Sequence, residues 1–119
     1  MNAKATYDPR DLFDLSGKRA LVTGASMGLG KRFAWTLARA GAETILTARS
    51  VEKLELLGKS ITEFGGRHRV VKLDVRDRDA IRDCVDDLER EGSIDVLVNN
   101  AGIAIVKAPE YYEDEDWDK

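Results

Sequence analysis

The stretch that most constrains the fold is Ala20-Leu21-Val22-Thr23-Gly24-Ala25-Ser26-Met27-Gly28-Leu29-Gly30. A short apolar run ends in Thr-Gly, crosses a glycine-rich turn and enters a helical pattern from Lys31. Strand, tight turn and helix N-terminus therefore follow one another without a spacer. The first turn of a helix carries backbone N–H groups with no intrahelical partner and the positive end of the macrodipole, so it favours an anion. Gly24 lets the chain leave the strand sharply, Gly28 lets backbone come close to a pyrophosphate, and Gly30 lets the helix pack against the strand. The spacing Gly-x-x-x-Gly-x-Gly departs from the Gly-x-Gly-x-x-Gly dinucleotide fingerprint. Taken alone, the loop also fits a tight βα turn with no ligand.

The remainder of the chain repeats the strand–helix alternation. In the helix from Lys31, apolar or small residues recur at Phe33, Ala34, Leu37, Ala38 and Ala40, and Gly41 closes it. Thr44 to Ala48 reads as a second strand. Val51, Leu54, Leu57, Ile61 and Phe64 mark the apolar face of a second helix, closed by Gly65-Gly66. Val70 to Leu73 is a third strand ending at Asp74, and a third helix carries Ile81, Cys84, Val85 and Leu88 on one face before Gly92. Ile94 to Val98 is a fourth strand that runs into Asn99-Asn100-Ala101-Gly102. Four strands and three helices in alternation predict an α/β fold, a Rossmann-like doubly wound parallel sheet covered on both faces. Ligands of such sheets bind beyond the carboxyl ends of the strands. Thr23 to Gly30, Arg49, Asp74 and Asn99 to Gly102 all fall there.

The 119 residues fit one domain, with a polar arm over 1–11 and the folded unit over 12–119. A net charge of −3, with scattered basic residues, argues against a nucleic-acid or membrane surface. No apolar run approaches membrane-spanning length, and the polar start from Met1 to Arg10 is unlike a signal peptide. With a single cysteine, a cytoplasmic location is expected. Cys84 reads as core, and His68, the only histidine, as a surface residue at a strand start. No metal-ligand spacing is present.

Thr23-Gly24-Ala25-Ser26-Met27-Gly28-Leu29-Gly30 and Asn99-Asn100-Ala101-Gly102, each at a strand end, resemble the two cofactor signatures of the short-chain dehydrogenase/reductase family. The resemblance covers nearly the whole chain from Leu12. The lead-in Phe13-Asp14-Leu15-Ser16-Gly17-Lys18 is similar to that of members acting on sugar acids and polyols, such as gluconate dehydrogenases. The resemblance implies strand order 3-2-1-4 and a dinucleotide lying across Gly24, Ser26, Met27, Gly28, Leu29 and Gly30. It also implies that Asp74 accepts from the adenine amino group beside the Val75 backbone, that Asn100 and Ala101 contact the ribose, and that Gly102 lies near the nicotinamide. An aspartate at position 74 equally suits a helix cap.

Where an NAD-binding chain of this kind places a carboxylate after the second strand, this one has Ala48 followed by Arg49. An arginine there can clamp a 2′-phosphate and stack on adenine, with Ser26 assisting, so NADP(H) is expected over NAD(H). A solvated arginine at a helix start is the plainer alternative. Met27 stands where many NADP-using relatives carry a second basic residue.

The family's hydride-transfer chemistry uses a Ser, a Tyr-x-x-x-Lys pair and a helix asparagine. Tyr111 is followed four residues on by Glu115, and Tyr112 by Asp116, so neither completes the pair. No catalytic residue is therefore assigned, and the 119 residues alone are expected to be inactive. The resemblance implies a cofactor half of an oxidoreductase, truncated before the catalytic half and with the outer edge of the fourth strand unpaired. It further implies a small alcohol or ketone substrate and a homo-oligomer for the complete enzyme. A non-catalytic dinucleotide-binding module is the alternative.

Overall fold

The computed structural model describes residues 8–101. Expectations placed on Gly102, the Tyr111–Tyr112 pair and the residues up to Lys119 lie outside the described residues. A short 3-10 turn, Pro9–Phe13, precedes strand β1 (Arg19–Thr23). Then come helix α1 (Gly28–Arg39), β2 (Glu43–Ala48), α2 (Val51–Glu63), β3 (His68–Lys72), α3 (Arg78–Glu91) and β4 (Val96–Val98). The four strands form one sheet of order β3-β2-β1-β4, with every pairing parallel. This is the doubly wound arrangement expected from the sequence.

Side chains alternate across a strand, so a sheet buried on both faces must be apolar at consecutive positions. Val22, Leu46 and Ala48 face α1 and α2, where Ala34, Ala38, Leu54, Leu57 and Ile61 complete one core. Leu21 and Ile45 point to the other face, against Leu73, Cys84 and Leu88 beneath α3. Among the described residues no helix is long and apolar enough to cross a membrane.

Helix α1 starts at Gly28, three residues before the periodic pattern, because a helix start needs backbone geometry and not apolar spacing. Its buried face is Gly30, Ala34 and Ala38, and Phe33, expected on that face, is 39% exposed. The close approach to the sheet admits only small residues on the contact line, and Phe33 is turned off it. Strand β3 begins at His68, ahead of its apolar run, because main-chain pairing of Thr44 with His68 and Ile45 with Arg69 extends the ladder over polar side chains. His68 does start the strand but is half-buried, not a surface residue. Its ring occupies the space a Cβ at Gly58 would take, with Nε2 2.3 Å from that position. Strand β4 is shorter than Ile94 to Val98, because Asp95 is drawn into contact with Arg19. The Arg19 amide donates to an Asp95 carboxylate oxygen at 2.9 Å, and the Asp95 amide donates to the Arg19 carbonyl at 2.9 Å.

Arg19 also closes the amino-terminal end of the sheet. Its Nη1 donates to the Leu88 carbonyl at 2.8 Å and to the Gly92 carbonyl, which ties down the C-terminus of α3. Glu43 and Glu91 stand 3.6 and 3.7 Å from the same guanidinium.

At the opposite end, Gly30 sets the distance between α1 and β1. A Cβ there would lie 2.1 Å from the Gly24 carbonyl oxygen and 2.5 Å from Asn100 Nδ2. Gly30→Ala is therefore expected to destabilise the fold by about 3 kcal/mol despite alanine's better helix propensity. The measurement is the denaturant midpoint at unchanged slope; a midpoint equal to that of the native chain would contradict this account of the contact.

Candidate functional site

The carboxyl ends of all four strands open into one cleft of about 400 Å³. Its construction begins with Thr23, the last residue of β1. The Thr23 hydroxyl accepts from the backbone amides of Asn100 (3.0 Å) and Ala101 (3.1 Å) and donates to the Val98 carbonyl at 3.3 Å. A hydroxyl has one donor and two acceptor positions, and all three are used. Asn100 Nδ2 adds a bond to the Gly24 carbonyl at 3.3 Å. On the other side, the Ala25 amide donates to the Thr47 carbonyl at 3.1 Å, and Thr47 Oγ1 donates to the Val22 carbonyl at 3.0 Å. The turn after β1 is thus fastened to the ends of both neighbouring strands. Gly24 makes that turn at φ +64°, and a Cβ there would lie 2.9 Å from Ala101 Cα.

Of the residues singled out in the sequence, Gly24, Ser26, Met27, Arg49, Asp74, Val75, Asn100 and Ala101 line this one cleft. Three loop residues do not. Gly30 is buried beneath the turn, Leu29 is 67% exposed, and Gly28 opens onto an adjoining groove with Lys31, Arg32 and Trp35. Sequence reasoning did not assign five lining residues to the site: Ala48 and Leu73 at the strand ends, and the polar Ser50, Lys53 and Arg76. Lys53 lies one helical turn beyond Arg49, a four-residue spacing that could have flagged it. Arg76 lies two residues beyond Asp74, the spacing of a local Asx-type turn.

The helix starts facing this end of the sheet differ in one respect. The N-cap of α1 is Met27, and that of α2 is Ser50; neither makes a side-chain capping bond. In α3, Asp77 caps by accepting from the Ala80 amide at 3.0 Å. The capping function considered for Asp74 therefore belongs to Asp77, because α3 begins later than the end of β3 would suggest. The first turn of α1 is left with donors that no side chain satisfies, at the edge of the cleft.

Asp74 instead engages Arg76. Oδ1 accepts from the Arg76 backbone amide (3.0 Å) and from Nε (3.1 Å), and Oδ2 accepts from Nη2 at 3.0 Å. The Arg76 guanidinium, then its backbone N–H, hold the Asp74 pKa down to about 2, with a smaller contribution from the Arg49 charge. No group of three or more potential metal-ligating side chains exists among the described residues.

A titration of the Asp74 carboxyl by carbon-detected NMR is expected to have its midpoint near pH 2. A depressed carboxylate pKa contributes stability above the unfolded-state value of about 3.9 and loses it as pH falls through the folded value. Arg76→Gln should return the midpoint toward the ordinary carboxylate range; an unmoved midpoint would remove Arg76 as the cause.

Over residues 18–119 the chain matches the family model described as short chain dehydrogenase. It is 46% identical over 109 residues to gluconate 5-dehydrogenase of Gluconobacter oxydans, covering 91% of this chain and 43% of that one. A short-chain type dehydrogenase/reductase from Mycobacterium marinum superposes with TM-score 0.84 at 41% identity, over 93% of this chain and 45% of that one. A gluconate 5-dehydrogenase from Burkholderia cenocepacia, solved in complex with NADP and tartrate, superposes with TM-score 0.81 at 37% identity, over 92% and 44%. The chain thus spans less than half the length of these relatives. On this match, with the sheet order and the strand-end cleft already described, the chain belongs to the short-chain dehydrogenase family.

Proposed function

We propose that residues 12–119 form the NADP(H)-binding part of an oxidoreductase that transfers hydride between the dinucleotide and an alcohol or carbonyl compound, with residues 1–11 as a preceding arm. The observation that carries this reading is the cationic end of the cleft: Arg49 directly after β2, with Lys53 beside it and no carboxylate at that strand end. The donor chemistry fits such a cofactor. A pyrophosphate suits the uncapped first turn of α1 and the Gly24–Gly28 turn, and a 2′-phosphate suits the guanidinium of Arg49, with Ser26 nearby. Asp74 keeps an acceptor position for an adenine amino group beside Val75, and Asn100, Ala101 and Gly102 are the ribose and nicotinamide contacts. The NADP carried by the Burkholderia cenocepacia relative supports the same choice.

When bound, the nicotinamide supplies or accepts the hydride. The residues of this chain bind and orient: the Thr23 hydroxyl fixes the Asn100–Ala101 backbone, and Arg49 selects the phosphorylated dinucleotide. The proton-transfer chemistry is assigned to residues outside this sequence, which carries no Tyr-x-x-x-Lys pair.

Titration of the chain with NADPH and NADH, followed by fluorescence or calorimetry, tests the reading. Arg49→Ala should weaken NADPH by roughly ten- to a hundredfold, the scale of one charge-assisted bond, and NADH far less. Equal weakening of both would show that Arg49 does not read the phosphate. The 119 residues alone should give no NADPH-dependent carbonyl reduction; turnover would overturn the assignment of catalysis to other residues.

A further inference from the structure

Among the residues lining the cleft, Asp74 is the only carboxylate, and it shares that wall with Arg49, Lys53 and Arg76. An unshielded carboxylate there would act against a 2′-phosphate in two ways. It would repel the phosphate directly, and it would compete for the Arg49 guanidinium, whose charge already influences it. The observed geometry prevents both. Arg76 meets the carboxylate edge-on, Nε to one oxygen and Nη2 to the other, in the two-point arrangement that guanidinium favours. Oδ1 is saturated by the Arg76 amide and Nε, whereas Oδ2 has accepted one bond and keeps a lone pair. Asp74 can therefore receive one more neutral donor while its charge is cancelled.

We propose that Arg76 is a specificity-determining residue: by pairing with the Asp74 carboxylate at two points it leaves Arg49 free for a 2′-phosphate, and so sets the preference for the phosphorylated dinucleotide. The inference rests on the assignment of Arg49 and Asp74 made above. An ion pair whose side chains are 50% and 37% exposed adds little to fold stability. Its effect is local to the cleft. Without Arg76, Arg49 turns toward Asp74, and NADPH loses its partner while NADH does not.

The test is equilibrium binding of NADPH and NADH to the full chain and to its Arg76→Gln, Asp74→Asn and doubly substituted variants, with circular dichroism to confirm folding. Arg76→Gln should weaken NADPH by roughly fivefold to tenfold, as one unit charge acts through a partly screened cleft, with NADH within about twofold. The loss should shrink in about 0.5 M salt, and the double variant should recover the preference for NADPH over NADH, since no carboxylate remains to be shielded and any change at the adenine contact falls on both dinucleotides alike. Equal loss for both dinucleotides in Arg76→Gln, or no recovery of the NADPH/NADH ratio in the double variant, overturns the shielding. An unchanged NADPH preference in Arg76→Gln, alongside loss in Arg49→Ala, overturns this inference and leaves the Arg49 reading intact. Failure of the native chain to bind either dinucleotide overturns both.

Discussion

The distance between α1 and β1 governs the carboxyl end of the sheet. At Gly30 the helix backbone comes so close to the Gly24 carbonyl and the Asn100 amide group that a single methyl would overlap both. That approach holds the turn after β1 in place, and the turn in turn holds Thr23 where its hydroxyl meets the backbone beyond β4. Two chain segments far apart in sequence, Thr23 to Gly30 and the backbone at Asn100 and Ala101, are thereby fixed to one another by a close backbone contact and a hydroxyl. The Thr23 hydroxyl at the cleft's floor has its donor and both acceptor positions used by the protein.

The rim of the cleft is built on a different principle. Where the floor satisfies its own hydrogen bonds, the rim leaves donors and charges unspent: the first turn of α1 lacks a side-chain cap, and Arg49 and Lys53 are exposed cations. Arg76 is the exception, committed to Asp74 two residues before it at the end of β3. A neutralised carboxylate beside free cations gives a site that attracts anions yet keeps one acceptor for a neutral group. Charge and hydrogen-bonding capacity have been separated on the same residue.

Much of this was legible in the sequence, for identifiable reasons. Consecutive apolar residues such as Leu21-Val22 and Ile45-Leu46 mark a sheet buried on both faces, and glycine at helix ends marks the turns. The parallel order follows from the alternation and from the family resemblance. Gly30 was legible because only glycine permits so close an approach. What escaped was set by tertiary contact. Phe33 has helical spacing but lies off the line where α1 touches the sheet, and the extent of β3 comes from main-chain pairing to β2, which hydropathy does not record. Asp74 and Asp77 are both good caps, and only the start of α3 separates them. Arg76 and Lys53 look like surface cations in sequence: their spacing from Asp74 and Arg49 is a local signal, but it does not distinguish a solvated side chain from one lining the cleft.

The clamp at the other end of the sheet bears on the order in which the fold assembles. The bond between Thr47 and Val22 joins residues 25 positions apart, whereas that between Arg19 and Asp95 joins residues 76 apart. Closing the longer loop costs about 1 kcal/mol more in chain entropy. The pairing it secures has only three residues in β4, Ala20 with Val96 through Val22 with Val98. The first three strands can therefore pair through shorter closures than the one that β4 requires. Because Asn100 and Ala101 follow β4, the fourth wall of the cleft depends on the longer of these two closures, and a ligand spanning it would act as a latch on that closure.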